Sequence, residues 1–391
     1  MANEWSFAIG PPGQLSRELV QARNRKLTFN LAEPSECSVE LDGRDVAASE
    51  IVELETDIYA FRKPDPNTPR QILYRGRINK ISDTMNETGH QMTVPSIDYR
   101  GVLKRRLLMN GLPTDGNNQV VYSTTDQCVI AWDLINKIQT QVTGGHGNLG
   151  ITNGVGQTSG INRDRSYDLG SPVWELIDGL SNLIDGFDWD ITPTYSGGVL
   201  GLQLDRWFPD RGNNTNEVLM FTGQGGNLAS VTRQVDSSDY ANAVRLTGRP
   251  REGANESTAP LPEERRIDFT GRPDWSRWDA SFDEDINTQP ALGERANWRI
   301  LDASLIRPSY QVSLAPGFWR GQGHLWLGDR VKLIIQSGRL NVETDVRIVE
   351  ISVNIDENGV EDVDMTLGYP RKSFSKKLSE IDRRLKSLER R

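Results

Sequence analysis

Only three histidines and two cysteines occur in 391 residues, and that scarcity removes several chemistries at once. His90, His146 and His324 lie far apart, with no HExxH pair and no carboxylate at ligand spacing, so a histidine-built metal centre is not expected. Cys37 and Cys128 are distant in sequence and have no metal spacing. A disulfide between them and two buried thiols in a reducing compartment both satisfy the count, and the second is preferred. There is no Gly-x-Ser-x-Gly elbow, P-loop or dinucleotide fingerprint, and Gly144-Gly145-His146-Gly147 lacks the Lys-Ser/Thr of a phosphate cradle. No cofactor is expected. No run approaches the roughly 18 apolar residues of a spanning helix, so no membrane insertion of its own is expected. The start, Met1-Ala2-Asn3-Glu4-Trp5, lacks the basic-then-apolar layout of a secretory signal. The expectation is a chain folded in a cytoplasm that reaches any later location by assembly.

A basic balance is also missing. The net charge is −9, and the positive charge that exists is gathered at one end. Residues 371–391 hold nine Lys or Arg against Glu380, Asp382 and Glu389, a local charge of +6 that leaves −15 for the body. So acidic a body argues against specific nucleic-acid binding, which needs a basic stripe. It suits a wall along which DNA slides without sticking.

What is present is internal similarity. Arg77-Ile78-Asn79-Lys80-Ile81-Ser82 matches Arg347-Ile348-Val349-Glu350-Ile351-Ser352, and the match continues through Glu87 and Gly89 against Glu357 and Gly359 to Tyr99 against Tyr369. All seven identities share one offset. In the second copy Ile348, Ile351, Val353 and Ile355 give near-alternation, Asp356-Glu357-Asn358-Gly359 supplies a turn, and Val363-Met365-Leu367 alternates again; Asn86-Glu87-Thr88-Gly89 and Met92-Val94 echo this in the first. Each copy therefore predicts a β-hairpin. Val39-Glu40-Leu41-Asp42-Gly43 also resembles Val244-Arg245-Leu246-Thr247-Gly248, at an offset about 65 residues smaller. The expected fold is mainly β with α+β insertions: two related small β-barrels, a middle α+β domain and a C-terminal helix. The predicted bounds are 1–105 for the first barrel, 106–225 for the middle domain, 226–250 with 318–370 for the second barrel, 251–317 for an insertion in it, and 371–391 for the helix.

Within the middle domain, Asp126 is the predicted cap of a helix carrying Val129, Ile130, Trp132, Leu134, Ile135 and Ile138. A second helix is predicted from Ser171-Pro172, with Ser as cap, to Gly186. At the C-terminus Phe374, Leu378, Ile381, Leu385 and Leu388 are spaced four, three, four and three, a coiled-coil seam that predicts contact with copies of itself or with another protein's helix. Packing on its own body is the alternative.

Two further groups could carry function. Asp188 and Asp190 flank Trp189 on a predicted strand, about 7 Å apart on one face, within the roughly 5–9 Å that glycosidase carboxylates require. A solvated strand face is preferred. Trp275, Trp278 and Trp298, with Trp319 and Trp326 just beyond, could stack on sugars or serve a protein interface, and the interface is preferred.

The order of motifs resembles the tail hub and minor tail proteins of bacteriophages. It is carried by Arg23-Asn24-Arg25-Lys26-Leu27-Thr28-Phe29-Asn30-Leu31, Cys37-Ser38-Val39-Glu40-Leu41 and Leu73-Tyr74-Arg75-Gly76-Arg77-Ile78. Later come Asp239-Tyr240-Ala241-Asn242-Ala243-Val244-Arg245-Leu246-Thr247-Gly248 and Leu327-Gly328-Asp329-Arg330-Val331. The resemblance covers nearly all the chain except 251–317, which matches nothing in it. It implies a non-enzymatic virion component at the tail tip, assembled in the host cytoplasm and similar to the baseplate hub of contractile phages. That hub is a homotrimer closing the tail tube, with the tube, the distal tail protein and a downstream tip or receptor-binding protein as partners and a channel for DNA ejection. The rival is a tail-associated cell-wall hydrolase or carbohydrate-binding protein.

Overall fold

Alternating burial governs the strands. Glu36–Asp42, Gly89–Asp98 and the second half of Leu340–Ile355 each bury every other side chain or nearly so, and Val39, Leu41, Val94, Ile348, Ile351 and Val353 are sealed from solvent. The computed structural model describes residues 4–368 apart from 64–67, 88, 110–111, 113, 116–117, 143–146, 184, 224, 236, 239, 249–259, 268–275, 284–288 and 305–307. The C-terminal run with its seam Phe374, Leu378, Ile381, Leu385 and Leu388 lies outside the described residues, as do Tyr369 and Trp275. The chain divides into a larger unit, 1–232 with 311–391, and a smaller one, 233–310.

The larger unit is built on one fifteen-stranded sheet. From one end its strands run Gly225–Gly226, Asn214–Thr222, Arg330–Ser337, Leu340–Ile355, Arg23–Asn30, Glu36–Asp42, Gly89–Asp98, Gln71–Ile78, Asp57–Lys63, Glu4–Gly10 and Arg17–Glu18. Glu361–Leu367, Ser309–Leu314 and Leu228–Gln234 branch from Leu340–Ile355, and Ser82–Asn86 pairs with Gly89–Asp98. This corrects the expectation of two small barrels. Strands from both halves share one sheet, and no pairing closes that path into a ring among the described residues. The reason is the length of Leu340–Ile355. Its sixteen residues span about 50 Å. The first half of it pairs with Arg330–Ser337, and the second half lies between Glu361–Leu367 and Arg23–Asn30.

Both predicted hairpins are present. Ser82–Asn86 folds onto Gly89–Asp98 with two residues of sequence between them and Asn86 opposite Gly89. Leu340–Ile355 folds onto Glu361–Leu367 through residues 356–360, with Ile355 opposite Glu361. The longer turn moves the register by one residue, so Ser82 faces Thr93 whereas Ser352 faces Asp364.

The middle segment has its own core, in which Tyr99, Leu103, Ile130, Leu134, Ile138, Val173, Trp174, Ile177, Trp189 and Leu204 are buried. As predicted, the helix Gln127–Thr140 is capped by Asp126, which accepts from the Cys128 amide at 2.8 Å. The second helix, Val173–Ser181, starts one residue later than expected: Pro172 takes the cap position without a side-chain bond. The hairpin Asp188–Ser196/Val199–Trp207 turns at Gly197 and Gly198, both at positive φ.

In the smaller unit, Ala243–Thr247 is the central strand, between Glu263–Arg266 and Asp279–Asp283. Val244 and Leu246 pack on Leu292, Ala296 and Ile300 of the helix Gln289–Ala303. Internal similarity assigns 226–250 to the second barrel. Residues 243–247 instead stand in a different sheet from Val39–Leu41, because their apolar face is buried under this helix.

Candidate functional site: a buried ion-paired network and a presented tryptophan

The tripeptide Arg75-Gly76-Arg77 aims two guanidinium groups at one enclosed carboxylate. Arg75 Nε donates to Asp57 Oδ2 at 2.9 Å and Arg77 Nε to Asp57 Oδ1 at 2.6 Å, with Asp57 fully buried. Tyr99 Oη donates to Asp57 at 2.7 Å and accepts from both arginines. Alternation puts Arg75 and Arg77 on one face. Gly76 is required between them, since a Cβ there would stand 2.2 Å from Tyr74 Oη and 2.7 Å from the Ile97 carbonyl. Burial, and then the Asp57 charge, push the Tyr99 phenol well above its ordinary value.

A second network joins the middle segment to the sheet and absorbs the acid pair. Arg100 Nε lies 3.3 Å from Asp98 and 3.2 Å from Asp190, and its other nitrogens donate to the Asn30 and Leu31 carbonyls at 2.5 and 3.0 Å. Arg211 contacts Asp190 at 2.7 Å, and its amide donates to Asp188 at 2.6 Å. Arg347 pairs with Asp188 and donates to the Arg211 carbonyl at 2.8 Å. Burial raises the Asp190 pKa, but Arg100 and Arg211 outweigh it and hold the carboxyl below its ordinary value. Burial dominates at Asp98, whose pKa is raised despite Arg100. A glycosidase needs one of its two carboxyls kept protonated as an acid, and the two arginines on Asp190 oppose that.

A third buried pair ties the first half to the last described strand. Arg62 holds Glu361 with two bonds, at 2.6 and 3.1 Å, and Trp5 Nε1 donates to the same carboxylate at 2.5 Å. The guanidinium lies 4.7 Å from the Trp319 ring centre. Trp319 is therefore a core residue, 2% exposed, with its Nε1 donating to the Leu325 carbonyl, and Trp326 stacks beside it. Neither is placed for a sugar.

Trp278 is placed differently. It is 58% exposed, while its backbone is clamped by the buried Asn242. The Asn242 Oδ1 accepts from the Trp278 amide at 2.8 Å, Nδ2 donates to the Ser276 carbonyl at 2.6 Å, and the Trp278 carbonyl accepts from the Asn242 and Ala243 amides. Trp298 stands on the helix Gln289–Ala303, with its side chain outside the described part of the chain. Trp275, Trp278 and Trp298 are thus not shown to form one cluster. The Asn242 clamp has a sequence signal only in the short run Tyr240-Ala241-Asn242, whose pattern alone suggests no more than the approach to a strand.

The remaining candidates are structural. Cys37 and Cys128 are buried free thiols, and burial, then Asp126, pushes Cys128 up to about 11. His90 binds Asp83 at 2.7 Å and His324 lies 3.3 Å from Glu217. Asp356 caps its turn, accepting from the Asn358 and Val360 amides. Among the described residues no three His, Cys, Asp or Glu side chains are grouped as metal ligands, and no helix is long and apolar enough to cross a membrane.

Comparison with known proteins gives the context. No curated protein matches the chain. A tail protein from Neisseria meningitidis MC58 shares 11% identity at a TM-score of 0.60, over 93% of this chain and 96% of its own. The 43 kDa tail protein of prophage MuSo2 from Shewanella oneidensis shares 10% at 0.60, over 94% and 98%. The prophage tail protein gp18 from Listeria monocytogenes EGD-e shares 13% at 0.54, over 97% and 99%. Over residues 221–378 the sequence matches the family model described as Prophage endopeptidase tail, and over nearly its whole length the chain carries the fold of phage and prophage tail proteins.

Proposed function

We propose that this chain is a structural component of a bacteriophage tail tip, a hub that closes the tail tube and joins it and the distal tail protein to a downstream tip or receptor-binding protein. The observation that carries the reading is the near end-to-end likeness to three tail proteins, two of them from prophages, with no large unmatched region on either side. In this reading the hub is a homotrimer in the virion, assembled in the host cytoplasm, with a channel for DNA ejection. The acidic body keeps DNA from adhering to the channel, and the basic C-terminal seam Phe374, Leu378, Ile381, Leu385 and Leu388 is the connector to copies or to the tip. Trp278, an exposed aromatic on a clamped backbone, belongs to a protein interface, where tryptophan is enriched among the residues that carry binding.

The non-enzymatic assignment rests on the arginine-neutralised Asp188 and Asp190 and on the buried thiols. A second reading, a tail-associated cell-wall hydrolase, is favoured by the word endopeptidase in the matched family's description. Two measurements separate them. Light scattering on the purified chain over a range of concentrations gives a mass near three times 43.8 kDa for a trimeric hub, and labelling with an antibody to the chain decorates the tail tip of intact virions. A monomer that releases peptides from purified peptidoglycan, and whose antibody leaves the tail tip bare, replaces the hub with the hydrolase.

A further inference from the structure

Asn214–Thr222 lies near one end of the fifteen-stranded sheet. On its inner side it pairs with Arg330–Ser337, at Asn214 and from Val218 to Thr222. On its outer side only Phe221 and Thr222 have strand partners among the described residues, Gly226 and Gly225. The outer backbone of Val218–Met220 is therefore the place where another chain could add a strand. Val218 and Met220 are 36% and 38% exposed, so this edge carries apolar side chains as well. A side chain stands where that strand would lie. Asn227 Nδ2 donates to the Val218 carbonyl at 2.7 Å, and Asn227 Oδ1 accepts from the Met220 amide at 2.8 Å. A carboxamide carries both a donor and an acceptor, so a single residue satisfies both backbone groups as a neighbouring peptide would.

Asn227 is held in this pose by the backbone on both sides of it. Gly226 pairs with Phe221, and a Cβ at position 226 would collide with the Met220 carbonyl oxygen, so only glycine lets the chain return this closely. On the other side, the Asn227 carbonyl accepts from the Ala315 amide at 2.8 Å, and Leu228 is buried at the start of Leu228–Gln234. Fixing the backbone in advance lowers the entropy lost when the side chain makes its two bonds. We infer that Asn227 is an edge plug: it fills the pairing positions of Val218 and Met220 and keeps a second copy of this chain from adding its own Asn214–Thr222 strand there. Two identical edges are self-complementary about a twofold axis, which makes a second copy the partner that the opened edge takes.

Asn227→Ala opens the edge. In light scattering its mass should rise with concentration to about twice that of the wild type, as two open edges pair. Adding Met220→Pro removes an N–H that such pairing needs, at a position where an edge strand tolerates proline, and should return the mass to the wild-type value. A mass equal to wild type at every concentration overturns the inference. Association that survives Met220→Pro also overturns it, because it then comes from unfolding and not from the edge. Hydrogen exchange is an independent test. The Met220 amide should be protected in the wild type, exchange freely in dilute Asn227→Ala and regain protection as that variant associates. A wild-type Met220 amide that exchanges as fast as an exposed loop amide refutes the plug.

Discussion

Asp57 is enclosed by side chains that the sequence places side by side, Arg75 and Arg77, and by Tyr99 at the start of the short helix Tyr99–Leu103. Taking a carboxylate out of water costs several kcal/mol unless opposite charges and hydrogen bonds offset it. Asp57→Asn leaves two guanidinium groups without their counter-charge and is expected to cost about 3–5 kcal/mol, read as a shift in urea midpoint. Asp190 gives a pH-dependent counterpart. Its folded pKa lies below the ordinary 3.8, so its contribution is complete above that value and is lost as pH falls through the folded value. The stability advantage of wild type over Asp190→Asn should therefore be full at neutral pH and shrink below 3.8. Equal advantages at both pH values would contradict this assignment. At this scale the sequence was partly legible. It showed Asp188 and Asp190 on one strand face, but not the arginines, which come from positions 100, 211 and 347 and meet only in the folded chain.

Elements were more legible than sites, because they depend on local pattern. The two hairpins follow from alternation and turn residues, and the cap at Asp126 from its place before an apolar helical stripe. Strand interruptions obey equally local rules. Pro95, with no N–H to give, stands where one partner of Gly89–Asp98 has ended at Thr93 and the next begins at Ser96. Gly76 is a second such point. Gly76→Ala forces a methyl against the Ile97 carbonyl and the Tyr74 hydroxyl, and is expected to cost about 1–3 kcal/mol in thermal unfolding. In the smaller unit, Asn242→Ala removes both side-chain bonds that clamp residues 276–278. Hydrogen exchange should then rise at the Trp278 amide and along Asp279–Asp283, while the larger unit keeps its protection. The strand Ala243–Thr247 was misplaced because its apolar pattern suits either sheet, and only the helix Gln289–Ala303 decides which face is covered.

The whole molecule was least legible in its strand order. Alternation marks a strand but not its neighbour, and a sixteen-residue strand serving two sets of partners looks locally like one side of a hairpin. The resemblance to phage tail proteins, read from motif order, holds across the fold. The proposed trimer carries its own prediction: Leu385→Asp should leave the thermal transition of the larger unit unchanged and lower the mass measured by light scattering. An unchanged mass removes the C-terminal seam from assembly. The long-range pairing also sets a timetable. Arg23–Asn30 is made early, yet one of its two partners, Leu340–Ile355, emerges some 300 residues later. At about 5–20 residues per second that edge waits roughly 15–60 s on the ribosome with its backbone unpaired, open to any other strand that can lie against it. A chain stopped before residue 340 never covers it and should accumulate in the insoluble fraction, whereas the full chain, translated slowly and cold, should not.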